Sequence, residues 1–252
     1  MHAIQAPEEP RLPRLRFVTS HPRDIGDDLI RTVTELPRIC KHFHMPAQSG
    51  STRILDAMRR GYTRERYEET LARIRDLCPE ALVTSDFIVG FPGETEEDFQ
   101  QTLDLVQRAE FQNAYIFKYS PRPGTPAAAW PDDVPAEEKK RRNAALLAAQ
   151  QEVGRKRSCS LIGTRQEILV EEVSERDARR LIGRTSANLI AVFEPPALPL
   201  PSGARGAAGS PSGEAGGAEE AGSVAGAWAG KLVTLEIVEA TALTLIGRYV
   251  GQ

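Results

Sequence analysis

The chain has 252 residues, 40% of them hydrophobic, and a net charge of −3. That suffices for one sizeable core and a small second unit, but it supplies no global basic field, so a polyanionic partner must be held by a local patch. Cys40, Cys78 and Cys159 are odd in number and far apart, which speaks against a disulfide framework, a zinc site or a cluster loop and fits reduced thiols in a cytoplasmic protein. No apolar run reaches membrane-spanning length and no signal-peptide core is present, so no membrane association is expected.

Residues 1–13 read as a disordered, proline-punctuated lead-in. RLRFVTS, 14–20, predicts a buried strand ending in the turn SHPRD, and residues 27–36 a helix with Leu29, Ile30 and Val33 on one side. CKHFHMP, 40–46, predicts a second short strand closed by Pro46. His42 and His44 alternate along it, but no third ligand follows to complete a metal site. HMPAQSGS then gathers His44, Gln48, Ser49 and Ser51 in one short span. Either this is a strand end built for binding, or it is a capped helix start, with Ser51 as N-cap, Ile54, Leu55 and Met58 as the stripe and Gly61 as the stop.

A helix is predicted over 64–77, a strand over 81–91 (ALVTSDFIVGF), and a helix over 95–109 in which Thr95 and Asp98 have capping-box spacing. AYIFKYS, 114–120, is the next strand, followed by the turn-rich PRPGTPAA. Strand and helix alternate, which predicts an α/β unit with parallel strands and helical crossovers; four strands are too few for a complete barrel. Residues 136–158 form one long helix, basic at Lys139, Lys140, Arg141 and Arg142 and again at Arg155, Lys156 and Arg157. After Gly163, five short strand patterns (QEILVEEV, RLIGRT, NLIAVF, KLVTLEIVEA, TLIGRYV) predict a small all-β barrel or sandwich. Residues 195–229, rich in Pro, Gly, Ala and Ser, read as a disordered insertion within it.

Gly90, Pro92 and Gly93 fall where a parallel strand passes into its helix, the end at which α/β folds bind ligands. The plain alternative is a tight strand-to-helix turn. Glu94, Glu96, Glu97 and Asp98 occupy the helix start that would otherwise attract phosphate, so a neutral, zwitterionic or cationic ligand is expected. The motif lacks the lysine of a P-loop. Lys118, Tyr119, Ser120 and Arg122 sit at the next strand end, as site residues or as a solvated loop.

TSHPRD (19–24), HMPAQSGSTRILDAMRRGYT (44–63), DFIVGFPGETEEDF (86–99) and FKYSPRPGTPAA (117–128), in this order and spacing, resemble the methylthiotransferase branch of the radical S-adenosylmethionine (SAM) enzymes, and within it the tRNA-modifying MiaB group. ILVEEV, LIGRTSAN and LVTLEIVEATALTLIG resemble that family's TRAM domain, an RNA-binding module. The resemblance implies a partial (β/α) radical-SAM, TIM-like barrel over 14–135, a basic connecting helix over 136–160 and an all-β TRAM domain over 161–252. The implied activity is 2-methylthiolation of N(6)-dimethylallyladenosine beside the tRNA anticodon; a threonylcarbamoyladenosine methylthiotransferase is the alternative.

The implied cofactors are SAM, used both as methyl donor and as radical source, and 4Fe–4S clusters. By the same resemblance Ile88 and Gly90 line the SAM adenine, while Phe91, Pro92, Gly93 and Glu94 shape the wall around it. Gln48 and Ser49 face the methionine or ribose, and Tyr119 and Ser120 lie near SAM, with Arg122 beside SAM or the target nucleotide. Arg155, Lys156, Arg157, Arg165, Arg179, Arg180, Arg184 and Asn188 are the candidates for tRNA contact, with solvated surface cations as the alternative.

The family's Cys-x-x-x-Cys-x-x-Cys cluster motif is absent, as are the auxiliary-cluster cysteines. The expectation is an N-terminally truncated enzyme, inactive alone, with a missing N-terminal half as a possible partner and an unpaired strand edge on its half-barrel. A non-catalytic RNA-binding remnant is the competing reading, and an unrelated barrel enzyme using Glu94 or Asp86 as base a third.

Overall fold

The computed structural model describes residues 13–18, 21–196 and 227–251. The chain divides into two units, Met1–Ser160 with Thr241–Leu243, and Leu161–Ala240 with Thr244–Gln252. The expected disorder of the lead-in and of most of the insertion lies outside the described residues. Among those that are described, no helix is long and apolar enough to cross a membrane.

In the first unit the order is α1 (Asp27–Glu35), β1 (His42–His44), α2 (Thr52–Ala57), α3 (Arg64–Leu77), β2 (Leu82–Val89), α4 (Glu96–Ala109), β3 (Asn113–Lys118) and α5 (Ala136–Cys159). The strands are parallel, in the order β1-β2-β3. Neighbours in space are neighbours in sequence, with no reversal of the kind that marks an open doubly wound sheet. The strand expected over 14–20 is not formed among its described residues: Leu15 alone makes a parallel bridge to Ile39, its N–H bonding Arg38 O and its carbonyl accepting from Cys40 N–H. Among the described residues the unit thus has three strands and two isolated bridges, Leu15–Ile39 and Gln48–Phe87, not four strands.

Strand alternation separates two chemistries on β2. Val83, Phe87 and Val89 enter the core with Tyr67, Leu71 and Ile74 of α3, Phe99, Leu105 and Val106 of α4, and Leu146 of α5. The opposite face carries Thr84, Asp86 and Ile88, in register with Asn113, Tyr115 and Phe117 of β3. It is the more open one, with Tyr115 56% and Phe117 54% exposed. Both histidines of β1 meet Thr84 there, each with a ring nitrogen 2.9 Å from Thr84 Oγ1, and His44 Nε2 lies 3.4 Å from Asp86.

Helix ends follow local chemistry. Thr95 caps α4 in a complete capping box with Asp98, as its spacing predicts. Ser51 caps α2, but that helix stops at Ala57 and not at Gly61. The stop is a Schellman turn: Arg60 N–H reaches Leu55 O and Arg59 N–H reaches Asp56 O, with Arg59 in the left-handed position at φ 57°.

Where α2 begins, Gly50 lies against α4 so closely that a Cβ would collide with the backbone of Gln101 and Thr102. Gly50→Ala is expected to cost about 1–3 kcal/mol, read as a lowered urea midpoint with an unchanged slope.

The core-facing stripe of α5 is mostly polar: Lys139, Arg142, Leu146, Gln150, Gly154 and Ser158 are buried at helical spacing. Each long polar side chain in it has a partner. Lys139 bonds Asp132, Arg142 bonds Glu94, and Gln150 Nε2 donates to Phe111 O.

The second unit is a closed barrel of five strands, β4 (Arg165–Ser174), β5 (Asp177–Thr185), β6 (Ile190–Glu194), β7 (Leu232–Ala240) and β8 (Thr244–Gly251), in the order β4-β5-β6-β8-β7. All pairs are antiparallel except β6 with β8. Ile168, Val170, Leu181, Ala191, Phe193, Val233, Leu235, Ile237 and Leu245 fill its interior. Register shifts after Val170 and Ile237 supply the bends that closure requires.

Candidate ligand site at the strand ends

The loops after β1, β2 and β3 border one cavity of about 650 Å³. Its lining includes Gln48 from the first loop, Ile88 and Phe91 from the end of β2, and Tyr119, Ser120 and Arg122 from the loop after β3. With Lys118 at the end of β3 and Asp86 on β2, eight residues singled out in the sequence as site candidates are therefore brought together. Gln48 belongs there by its backbone: it is left-handed at φ 70°, its N–H bonds Asp86 O, and its carbonyl accepts from Ile88 N–H. The first loop is thereby stitched to the edge of β2. Phe91 stacks edge-on against Tyr119 and Trp130, at centroid distances of 5.1 and 5.8 Å.

Other candidates sit behind this wall. Ser49 is buried, 3.3 Å from Thr102 Oγ1, and accepts from Ser51 N–H. Gly90 is left-handed at φ 72°, and the aliphatic stem of Lys139 lies where its Cβ would be. Pro92, Gly93 and Glu94 do not line the cavity. Glu94 is fully buried and closes the turn on itself: Oε2 accepts from Gly90 N–H at 2.6 Å and from Arg142 at 2.7 Å, while Oε1 has no partner. Burial pushes its carboxyl up, and the Gly90 and Arg142 bonds offset this only in part.

The expected electrostatics of the turn need correcting. Glu94 pairs with Arg142, Glu96 with Arg141 at 2.5 Å, and Asp98 with Arg53, so three of the four acids that were to repel phosphate are neutralised within the fold. Asp98 also accepts from Ser51 Oγ at 2.6 Å and Thr95 N–H at 2.9 Å. Burial pushes its carboxyl up, but the bonds from Arg53, Ser51 and Thr95 outweigh this and hold it well below the usual carboxylate range.

Asp86, read in the sequence only as the base of an unrelated barrel enzyme, also lines the cavity. The sequence reading missed Met58, Arg59, Arg60, Phe117 and Trp130. For Phe117 the signal was available: it stands in register with Ile88 across β2 and β3.

Six of the seven proposed RNA cations, all but Arg165, are engaged by carboxylates of the chain. Arg155 and Lys156 both pair with Glu152, and Arg157 pairs with Glu110. Arg179 pairs with Asp177, Arg180 with Asp177 and Glu194, and Arg184 with Glu171. Asn188 is a left-handed turn residue at φ 69° whose oxygens face Arg184.

No group of three His, Cys, Asp or Glu residues able to hold a metal occurs among the described residues. His42 and His44 are turned toward Thr84. Cys40 and Cys78 are buried and Cys159 lies on α5. This donor set does not fit an iron–sulfur cluster, which needs thiolates converging on one point.

Residues 2–106 match the family described as the Radical SAM superfamily, a match that starts upstream of Arg14. The tRNA-2-methylthio-N(6)-dimethylallyladenosine synthase of Chromobacterium violaceum is 48% identical over 186 residues, 74% of this chain and 42% of that protein. The protein of the same name from Moorella thermoacetica is 48% identical over 182 residues, 72% of this chain and 41% of its own. The one from Verminephrobacter eiseniae is 41% identical over 244 residues, 96% of this chain and 48% of its own. Among solved structures, coproporphyrinogen III oxidase (HemN) from Escherichia coli, a radical SAM enzyme, aligns with a TM-score of 0.46 and 21% identity over 54% of this chain and 31% of that one, too low to carry an argument. The chain spans less than half the length of the curated relatives it matches. Over the part that it shares with them, the chain is similar to these synthases, and over residues 2–106 to the Radical SAM superfamily.

Proposed function

We propose that the first unit supplies one side of the SAM site of a tRNA methylthiotransferase that modifies N(6)-dimethylallyladenosine, and that the second unit is its TRAM-type RNA-binding domain. The observation that carries this is the convergence of Gln48, Ile88, Phe91, Tyr119 and Ser120, from three successive strand ends, on one cavity. The lining fits SAM in kind. Ile88 and Phe91 give an apolar wall for a purine, Gln48 and Ser120 give hydrogen-bonding groups, and Asp86 gives a carboxylate for the positive charge of a zwitterion. When bound, SAM supplies an activated methyl group and, in radical chemistry, the adenosyl fragment that removes hydrogen from the substrate. This chain's own share is to bind and orient it. Glu94 and Arg142 hold the β2 turn from behind, and Phe91 packs edge-on against Tyr119 and Trp130 at the cavity wall.

The cysteines do not fit a cluster, so this chain by itself is expected to bind SAM without cleaving it. Calorimetric titration of SAM should give saturable binding, weakened about tenfold or more by Ile88→Asp, which sets a charge against the purine wall. After cluster reconstitution, no 5′-deoxyadenosine should be released. Release would overturn the claim of inactivity; absence of SAM binding would overturn the site itself.

A further inference from the structure

Three arginines at the cavity differ from the other cations discussed above. Arg59, Arg60 and Arg122 all line it. None of their side chains makes an ion pair or hydrogen bond with a described residue, whereas Arg155, Lys156, Arg157 and Arg184 are each paired with a carboxylate. Arg60 Nε is buried with no hydrogen-bond partner. A guanidinium nitrogen removed from water without an acceptor is costly, so the geometry calls for an anionic oxygen there.

Their placement has its own cost. Arg59 occupies the left-handed C′ position of the Schellman turn that ends α2. Glycine is the usual residue there, and a side chain costs roughly 1–2 kcal/mol. A side chain kept where the backbone disfavours it points to a use for that side chain.

The remaining lining supplies the complement. Phe117, Tyr119 and Trp130 present aromatic surface, with Phe117 54% and Trp130 40% exposed. The one carboxylate of the lining, Asp86, has His44 beside it. Exposed stacking surface and unpaired guanidinium groups lining the same cavity are what single-stranded nucleic acid requires, a π-face for the base and cations for the phosphates.

We infer that Arg59, Arg60 and Arg122 hold the backbone phosphates of a single-stranded RNA segment whose base enters between the aromatic walls of the cavity. The inference rests on the reading of the chain as part of an RNA-modifying enzyme. It moves the point of RNA engagement from the cations of α5 and the barrel to the mouth of the SAM cavity.

The test is fluorescence anisotropy with the full chain and a short single-stranded RNA carrying a central adenosine, across a salt series, beside a SAM titration of the same preparations. Arg59→Gly and Arg122→Ala should each weaken RNA binding several-fold and lower the salt slope by about 0.7, the value for one lost phosphate contact on a single strand. Arg59→Gly should melt at or above the wild-type temperature, because glycine relieves the left-handed turn; loss of RNA binding with stability retained separates binding from structure. Wild-type affinity and slope in both variants, with SAM still bound, would overturn the inference and leave the SAM site standing. A loss found only in Arg155→Ala would also overturn it, by placing RNA on α5. Competition by adenosine monophosphate as effective as by the oligonucleotide would reduce the ligand to a mononucleotide and overturn the RNA assignment. Failure of the wild type to bind either RNA or SAM would remove both readings.

Discussion

Arg142→Ala is expected to destabilise the first unit by about 3–5 kcal/mol, the usual cost of removing one partner from a buried ion pair. Glu94 then keeps a fully buried carboxylate whose Oε1 already lacks a partner and whose Oε2 retains only the Gly90 N–H. The same guanidinium also bonds Glu94 O at 3.0 Å and Glu138 at 2.7 Å, so the turn and the first part of α5 loosen together. Chemical denaturation should show the loss as a lower midpoint. A double variant, Arg142→Ala with Glu94→Gln, should recover part of it by removing the stranded charge. A change below about 1 kcal/mol in the single variant would show that the pair is merely a surface-type bridge.

The second large effect is expected at Asp98. Its carboxylate caps α4 through Thr95 and accepts from Ser51 and Arg53 on the α2 side, joining the loop after β1 to the helix after β2. Asp98→Ala removes the N3 half of the Thr95 capping box, worth about 0.5–2 kcal/mol, and charge-assisted hydrogen bonds worth about 1.5–3 kcal/mol, so a combined loss of about 2–5 kcal/mol is expected at neutral pH. The pH dependence has a definite sign. The folded carboxyl is held below its unfolded value of about 3.9, so its contribution is complete above that pH and is lost as pH falls toward the folded value. Wild-type and Asp98→Ala stabilities should therefore converge below about pH 4. Other carboxyls are lowered too, Glu138 to about 2, but they are common to both proteins and drop out of the difference. A gap that stays constant from pH 7 to pH 3 would refute the assignment.

Where structure is set by near neighbours, the sequence was a good guide. β2 follows its alternation and α4 its Thr95–Asp98 box. The five strand patterns after Gly163 each form a strand. What escaped was decided by partners distant in the chain. Lys139 and Arg142 read as part of a basic, solvated helix, yet they are buried because Asp132 and Glu94 meet them. No periodicity of apolar residues can announce a core-facing stripe made of Lys, Arg and Gln. Gly61 looked like the end of α2, but Arg59 takes the left-handed turn residues earlier, against its intrinsic preference. RLRFVTS has strand composition, but among its described residues only Leu15 finds a strand-like partner. At the cavity, the strand-end residues within the quoted motifs were legible because turns, glycines and polar clusters mark strand ends. Arg59, Arg60 and Trp130 come from a helix end and a loop whose approach to those strand ends is purely tertiary.

The two β-structures differ in one topological respect. The five-stranded ring closes on itself and leaves no row of backbone donors and acceptors for another strand to join. The three-stranded sheet has two such rows, along the outer sides of β1 and β3, and a half-open aromatic face between them. Any extension of β-pairing, by a further stretch of polypeptide or by a separate chain, is therefore confined to those two flanks.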